Sequence, residues 1–515
     1  MLDVERLSIH FEDRGRREEA VKNVSFQLAD GKILGIVGES GSGKTMTALT
    51  IAGLKKQRAV IDGGSVCLDG VDLLTLDDAQ LRSVQGARIG MIFQEPMSAL
   101  NPTMKIGKQL EEVLVLHAKL SKEERRNKVF AAMEDVELEN PRELYEKYPH
   151  ELSGGMRQRA MLAAAIVCRP KLLIADEPTT ALDVQTQDGI LGLLKKLNQK
   201  YGMSILFISH NLRVVEKLCG RVLVMKSGEV VEEGSVEAIF GNPQTEYTRE
   251  LIAAIPDACG KNWKDGATVE QDEAVAEEIA VWQGEAVADE NAMEKDVLEP
   301  KKVLEVCHLN AYYREGRVRR QILQDVSFTL HEGEIVGLVG GSGSGKTTLC
   351  KCVLGLLKEY DGVVIHHTKR PQMVFQDPYG SLNPRKTIGW ILEEPLKVQG
   401  GFSKEERRRK AEEMLERVHL PKEFYKRYPK ELSGGQRQRV SIATALMTGT
   451  KFILADEPLS ALDVTVQAQM IELLKELQEK EKICYLFVSH DLDVVHLLCD
   501  RVLKVEGKTV TSMYG

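Results

Sequence analysis

Long apolar runs are absent from this chain: nowhere do about 18 apolar residues follow one another, the length a helix needs to cross a bilayer. The N-terminal residues MLDVERLSIHFEDR place charges where a secretory leader would need an apolar core. The chain is therefore expected not to cross a membrane by itself. Its nine cysteines are scattered from Cys67 to Cys499, an odd number with no paired framework, which suits a reducing compartment. Cys350 and Cys352 read as small buried side chains, not as a metal site. No cysteine pairs at zinc spacing occur. The basic excess that grips phosphate backbones is missing too, since the net charge is −8, so no nucleic-acid partner is expected. With 28% charged and 43% hydrophobic residues the composition is that of an ordinary globular protein, neither fibrous nor disordered throughout.

What the chain does have is one ordered set of motifs, twice. GESGSGKT, FQEP, LSGGM, ADEP, ALD and ISH occur in the first half, and GGSGSGKT, FQDP, LSGGQ, ADEP, ALD and VSH in the second. Lys44 and Lys346 are offset by 302 positions, whereas Ser153 and Ser433, Asp176 and Asp456, and His210 and His490 are all offset by 280. Two domains fit both this repeat and a length of 515 residues.

Each glycine-rich motif follows a short apolar run, KILGIVG or EIVGLVG, and precedes a stretch with apolar residues at helical spacing, KTMTALTIAGL or KTTLCKCVLGLL. Strand, loop and helix in that order is the setting a phosphate-binding loop requires. The runs KLLIAD, KFILAD, SILFISH and CYLFVSH read as further strands of a parallel sheet covered on both faces. The expected organisation is a first α/β domain over residues 1–256 with a short C-terminal extension, an acidic flexible linker over 257–300, and a second α/β domain over 301–515. The halves differ: by Gln94 and Gln376 the offset has fallen to 282, so the second copy lacks 20 residues of the region Gly63 to Gly90.

The residue types state their chemistry. In Gly38, Glu39, Ser40, Gly41, Ser42, Gly43, Lys44, Thr45 and in Gly340, Gly341, Ser342, Gly343, Ser344, Gly345, Lys346, Thr347, the glycines let backbone N–H groups turn toward phosphate oxygens at a helix N-terminus. Lys44 and Lys346 reach the β and γ phosphates, and the Thr45 and Thr347 hydroxyls are offered to Mg²⁺. Asp176 and Asp456 end apolar strands, where a carboxylate holds Mg²⁺. Glu177 and Glu457 are the candidate general bases that orient or deprotonate water, and a helix-capping or loop-stabilising acid before Pro178 and Pro458 is their ordinary alternative. His210 and His490 can bond a γ-phosphate or orient the water. Gln94 and Gln376 can reach Mg²⁺ or the water.

The LSGGM and LSGGQ segments, Leu152 to Met156 and Leu432 to Gln436, each upstream of an ADEP strand, resemble the signature of the ATP-binding cassette (ABC) family, and the resemblance covers both halves nearly end to end. It implies two tandem P-loop NTPase domains, each with a mainly parallel core sheet, an antiparallel β subdomain and an α-helical subdomain. It implies ATP and Mg²⁺ as cofactors, and ATP sandwiched between the phosphate loop of one cassette and the signature of the other, head to tail. Ser153, Gly154 and Gly155 would then complete the site of Lys346, and Ser433, Gly434 and Gly435 that of Lys44. A Ser-Gly-Gly helix start can approach a γ-phosphate when no bulky Cβ intervenes. Phe11 and Tyr313, each 33 residues before its loop lysine, are candidates for stacking on the adenine, with an ordinary strand-face aromatic as the alternative.

QEPMSALNP, QDPYGSLNP, YPHELSGG, YPKELSGG and NPQTEYTREL are similar to the importer subfamily for oligopeptides, dipeptides, nickel and glutathione. That resemblance implies two membrane permease subunits, an extracytoplasmic solute-binding protein, and a place on the cytoplasmic face of the membrane. With Cys259 alone in the region where some relatives carry a cluster site, no iron–sulfur cluster is expected. The rival expectation is a soluble double-cassette ATPase acting on ribosomes or nucleic acid, whose linker would be long and basic; here it is short and acidic. On the helices SKEERRNKVFAAMEDV and SKEERRRKAEEMLERV, Glu124 with Lys128 and Glu405 with Arg409 stand at i,i+4 pairing distance.

Overall fold

A computed structural model describes residues 1–13, 16–54, 58–94, 99–179, 184–255, 264–265, 301–315, 318–341, 343–368, 371–460 and 462–514. The chain divides into two compact units, with the sequence boundary between Ile255 and Pro256. The linker expected over 257–300 lies outside the described residues, apart from Lys264–Asp265, which pair antiparallel with Met513 and Tyr514. Cys259, Ser342 and residues 95–98 also lie outside, as do 181–183 and 461 of the two ALD motifs.

In the first unit a six-stranded sheet runs in the order Glu229–Ser235, Arg221–Lys226, Ile33–Val37, Ser204–Ile208, Leu172–Asp176, Ile89–Ile92. All neighbours are parallel except the hairpin of the first two. Every residue of Leu172–Asp176 and of Ser204–Ile208 is buried, which is why these strands read as unbroken apolar runs. Side chains alternate across the pleat, and the two faces have separate partners. Leu173, Ala175, Ile205 and Phe207 join a core with the helices Ile106–His117, Lys122–Asp135 and Gly154–Ile166. Leu172, Ile174, Leu206 and Ile208 join another with a four-stranded antiparallel sheet, Arg16–Leu28, Leu2–Asp13, Ala59–Leu68, Val71–Asp72.

The second unit repeats this plan. Strands Ile335–Val339, Cys484–Val488, Phe452–Asp456 and Gln372–Val374 are parallel neighbours, and Lys302–Glu315, Val318–His331 and Tyr360–His366 form the antiparallel sheet. Helices Ile388–Gln399, Lys404–Arg417 and Gly434–Leu446 form the helical part. The 20-residue difference corresponds to Val71–Asp72, a short turn of helix at Leu73–Thr75 and the helix Asp78–Val84 of the first unit. In the second unit Tyr360–His366 leads to Gln372–Val374 without them.

Two details depart from the sequence reading. The helices after the glycine loops stop at Ile51 and Val353, short of the apolar spacing that continues past them. Gly53 and Gly355 adopt φ of +70° and +68°. With Leu54 N–H bonded to Leu49 C=O and Gly53 N–H to Thr50 C=O, and the same pattern at Leu356 and Gly355, each helix closes in a Schellman motif. The charge pairing also differs. Among the described residues no ion pair joins Glu124 to Lys128 or Glu405 to Arg409. Glu124 and Glu406 instead accept from the N–H groups of Ser121 and Ser403 in capping boxes, because the orphan donors of a first turn are fixed partners at 2.7 Å. Arg409 pairs with Glu413.

Candidate active sites

The residues from Gly38 to Thr45 turn from strand Ile33–Val37 into helix Lys44–Ile51, and those from Gly340 to Thr347 do the same between Ile335–Val339 and Lys346–Val353. Gly38 has φ +148°, and a Cβ there would stand 2.1 Å from the Met225 carbonyl oxygen; at Gly340 it would stand 2.6 Å from that of Val505. Only glycine lets each loop pass so close to its neighbouring strand. Ser42 N–H closes a turn onto Glu39 C=O at 3.2 Å, and Ser344 N–H onto Gly341 C=O at 3.2 Å. Lys44 is buried, its Nζ donating to the carbonyls of Gly38 and Glu39 at 2.7 Å each. Burial lowers its pKa, against the pull of the Glu177 and Asp176 charges. Lys346 donates to Gly340 and Gly341 C=O at 2.7 and 3.1 Å.

The other polar groups stand at the carboxyl ends of adjacent parallel strands, the usual ligand position in an open α/β sheet. The strand ending at Asp176 lies between the strand leading to His210 and the strand leading to Gln94, so Glu177 can meet both. It does: Gln94 Nε2 donates to Glu177 Oε2 at 2.9 Å, and His210 Nδ1 lies 3.0 Å from the same oxygen. The second unit repeats the arrangement, with Gln376 Nε2 at 3.0 Å from Glu457 Oε2 and His490 Nδ1 at 3.3 Å from Glu457 Oε1. Burial opposes the charged form of His490, but its bond to Glu457 and that residue's charge outweigh it, and the pKa is raised. Asp456 is raised as well, by burial first and by the Glu457 charge second. Thr45 Oγ1 donates to Asp176 Oδ1 at 3.3 Å, bringing together a hydroxyl and a carboxylate suited to a hard cation.

Glu177 and Glu457 carry a feature that their sequence does not announce. Both are left-handed, with φ of 49° and 46°, in a region that costs a long side chain on the order of 1–3 kcal/mol. Their N–H groups bond Ile208 and Val488 C=O at 2.9 and 3.0 Å, so the next strand holds the turned backbone in place.

Ser153 and Ser433 are the N-caps of Gly154–Ile166 and Gly434–Leu446. Here the structure refines the sequence argument. A Cβ on Gly154 would meet nothing within 4 Å and on Gly434 only Leu462 at 3.7 Å, so these glycines leave open space. A Cβ on Gly155 would lie 2.9 Å from Thr186 Cγ2 and on Gly435 2.3 Å from Val466 Cγ1. The second glycine of each pair is therefore required by packing against the following helix. Phe11 packs at the edge of its antiparallel-sheet core, and Tyr313 is half-buried on the corresponding strand.

Sequence reasoning passed over two features of the sites. Tyr247, in the extension helix Glu246–Ala253, accepts a hydrogen bond from Glu39 N–H at 3.2 Å. Beside Gln94, exposed Phe93 joins Leu54, Leu100, Val113 and Met161 around an apolar cavity of about 280 Å³; Phe375 is exposed next to Gln376.

Duplicated glycine loops, each with a lysine, a strand-end Asp-Glu pair and a Ser-Gly-Gly helix start, define a tandem nucleotide-hydrolysing protein. The ABC transporter family model matches residues 21–180 and 323–460. The chain belongs to that family and is an ATPase built from two of its cassettes. It is 42% identical over 533 residues, covering 98% of this chain and 84% of the relative, to the glutathione import ATP-binding protein GsiA of Salmonella choleraesuis. It is likewise 42% identical over 529 residues, 99% of this chain and 92% of the relative, to the peptidoglycan transport ATP-binding protein YejF of Agrobacterium fabrum. Among solved structures, the RNase-L Inhibitor is similar with a TM-score of 0.62 and 22% identity, covering 99% of this chain and 90% of that one, which shows a shared fold.

Proposed function

We propose that this chain is the ATP-hydrolysing subunit that energises import of a small peptide or related solute, such as glutathione, nickel or a metal chelate, through separate membrane permeases. The observation that carries this reading is 42% identity along nearly the whole chain to two transport ATPases, one of them a glutathione importer. Two permease subunits and an extracytoplasmic binding protein complete the assembly, and the chain sits at the cytoplasmic face of the membrane. Among the described residues no helix is long and apolar enough to cross a bilayer, so separate chains would form the channel. The apolar cavity beside Gln94 suits a helix of such a permease, which would feel the state of the site through that glutamine.

The residues fit ATP with Mg²⁺. Gly41 and Gly343 of the two loops would meet nothing within 4 Å if given a Cβ, which leaves open space beside each loop, and among the described residues the buried Ser344 Oγ has no hydrogen-bond partner. Thr45, Asp176 and Gln94, and Thr347, Asp456 and Gln376, would hold the cation. Among the described residues no cluster of three or more His, Cys, Asp or Glu could hold a metal, in keeping with an ion that keeps phosphate and water ligands. Bound there, Mg²⁺ neutralises charge on the phosphate oxygens. Lys44 and Lys346 bind the β and γ phosphates, and Phe11 and Tyr313 stack on the base. Glu177 and Glu457 take the proton from the attacking water. His210 and His490 orient the glutamates through Nδ1, and Gln94 and Gln376 hold them from the other side. Ser153 with Gly154 and Gly155, and Ser433 with Gly434 and Gly435, would offer helix N-terminal donors to a γ-phosphate.

The reading is tested with Glu177→Gln, Glu457→Gln and the double variant. Each single variant should lower ATP turnover, and the double should lose about 100-fold or more, the usual contribution of a general base. Unchanged turnover in either single variant would refute a two-site mechanism. Co-purification with permeases supports the importer; recovery with ribosomes or nucleic acid instead would replace it.

A further inference from the structure

The segment after the first cassette's last core strand is tied down at several points. Glu232, on that strand, accepts from Gln244 N–H at 2.8 Å and from Thr245 N–H and Oγ1 at 3.0 and 2.8 Å. Burial works against its charge, but these donors prevail and bring its pKa down to about 2. Thr245 then caps the helix Glu246–Ala253, and Tyr247 and Leu251 of that helix are buried in the core shared with the central sheet. The segment is thus a fixed part of the unit.

Tyr247 extends from this anchored helix to the phosphate loop. Its ring lies 4.3 Å from Lys226 Nζ, and its hydroxyl oxygen accepts from the N–H of Glu39, the second residue of the loop. Burial pushes the phenol up to about 12, so the group stays a neutral O–H. A second tie reaches the same loop, since the Ser42 carbonyl accepts from Gly228 N–H at 3.1 Å in the turn after Lys226. Glu39 is also one of the two residues whose carbonyls hold the Lys44 ammonium. Fixing the Glu39 peptide therefore fixes the resting place of that lysine. At Gly341, the equivalent residue of the second cassette, no side-chain hydroxyl bonds the N–H among the described residues.

We propose that Tyr247 is a positioning residue for the first phosphate loop: through the Glu39 peptide it holds Lys44 and the loop in their nucleotide-binding shape, and so tunes ATP affinity at the first site alone. The proposal rests on the assignment of both glycine loops to nucleotide binding. Tyr247→Phe removes only the hydroxyl and keeps the packed ring and its contact with Lys226.

The test measures ATP binding by calorimetry on the full-length chain with either or both loop lysines replaced, and steady-state kinetics on the chain with both lysines intact. With the second loop disabled by Lys346→Ala, Tyr247→Phe should weaken ATP binding about two- to tenfold, the range of one neutral hydrogen bond. With the first loop disabled by Lys44→Ala, the same substitution should leave the remaining affinity unchanged. In the otherwise unaltered chain the loss should appear in KM and not in kcat, with an unchanged Tm. Equal affinity of Tyr and Phe in the Lys346→Ala chain, or an equal loss in both single-lysine backgrounds, would overturn the positioning role. If the chain with both lysines replaced still bound ATP fully, the loop assignment itself would fall, and the proposal with it.

Discussion

The paired glycines of the signature helices invite a substitution that separates packing from ligand approach. Gly435→Ala would place a methyl 2.3 Å from Val466 Cγ1, with two further Val466 atoms at 3.6 and 3.7 Å. Val466 lies in the helix Val464–Glu481 and is β-branched, so its χ1 has one strongly preferred setting and it cannot swing aside cheaply. The overpacking should cost about 1–3 kcal/mol. For a unit of roughly 200 residues, 1 kcal/mol moves Tm by about 2–4 °C, so the second unit's transition should fall by about 2–12 °C. Gly155→Ala would meet Thr186 Cγ2 at 2.9 Å, and threonine divides between two helical rotamers, so its cost should be smaller. Gly434→Ala faces open space and should stay within about 0.5 kcal/mol of the parent, yet lower ATP turnover by crowding the face offered to phosphate. Scanning calorimetry with the two transitions resolved, run beside a turnover assay, checks the order. Greater destabilisation by Gly434→Ala than by Gly435→Ala would refute the reasoning.

Two further outcomes follow from local structure. Gln436 returns a bond to Ser433 N–H at 3.0 Å, completing a capping box that Met156 cannot make at Ser153; Met156→Gln should raise the first unit's stability by up to about 1 kcal/mol, measured by urea denaturation. Glu232 has a depressed pKa, so its hold on the extension is fully present above its ordinary value of 4.5 and is lost as the pH falls toward about 2. Hydrogen exchange of residues 244–253, corrected for intrinsic rates, should therefore show full protection at pH 6 and reduced protection at pH 3, whereas Glu232→Ala should already show reduced protection at pH 6.

Much of the sheet, and the gathering of the candidate residues at its strand ends, was legible because the signals are local. A parallel strand buried on both faces must be an apolar run, as in KLLIAD and CYLFVSH, and a loop that cradles phosphate must carry glycines at fixed places. The duplication singled out His210 and Gln94, which one copy alone would not have marked as candidates. Other features depend on partners distant in sequence. Gly155 resembles Gly154 until the Thr186 side chain is placed against it. Tyr247 reads as one letter of an extension, and nothing near it signals a bond to a residue 208 positions away. The left-handed backbone of Glu177 and Glu457 is likewise imposed by the neighbouring strand. The expected Glu124 and Lys128 pair failed because helix spacing names every possible partner, and a first turn's unbonded amides outcompete a side chain on the open surface.

The left-handed glutamates also bear on how such a chain can drift. A left-handed backbone fixes the direction in which the Cα–Cβ bond leaves the chain, and glycine or asparagine would relax the turn that glutamate strains. With the glutamates in the role proposed above, selection for heat tolerance alone would reward replacing them, in either copy. That both copies carry glutamate in so strained a backbone fits the role proposed for it above, in which turnover takes precedence over thermal robustness.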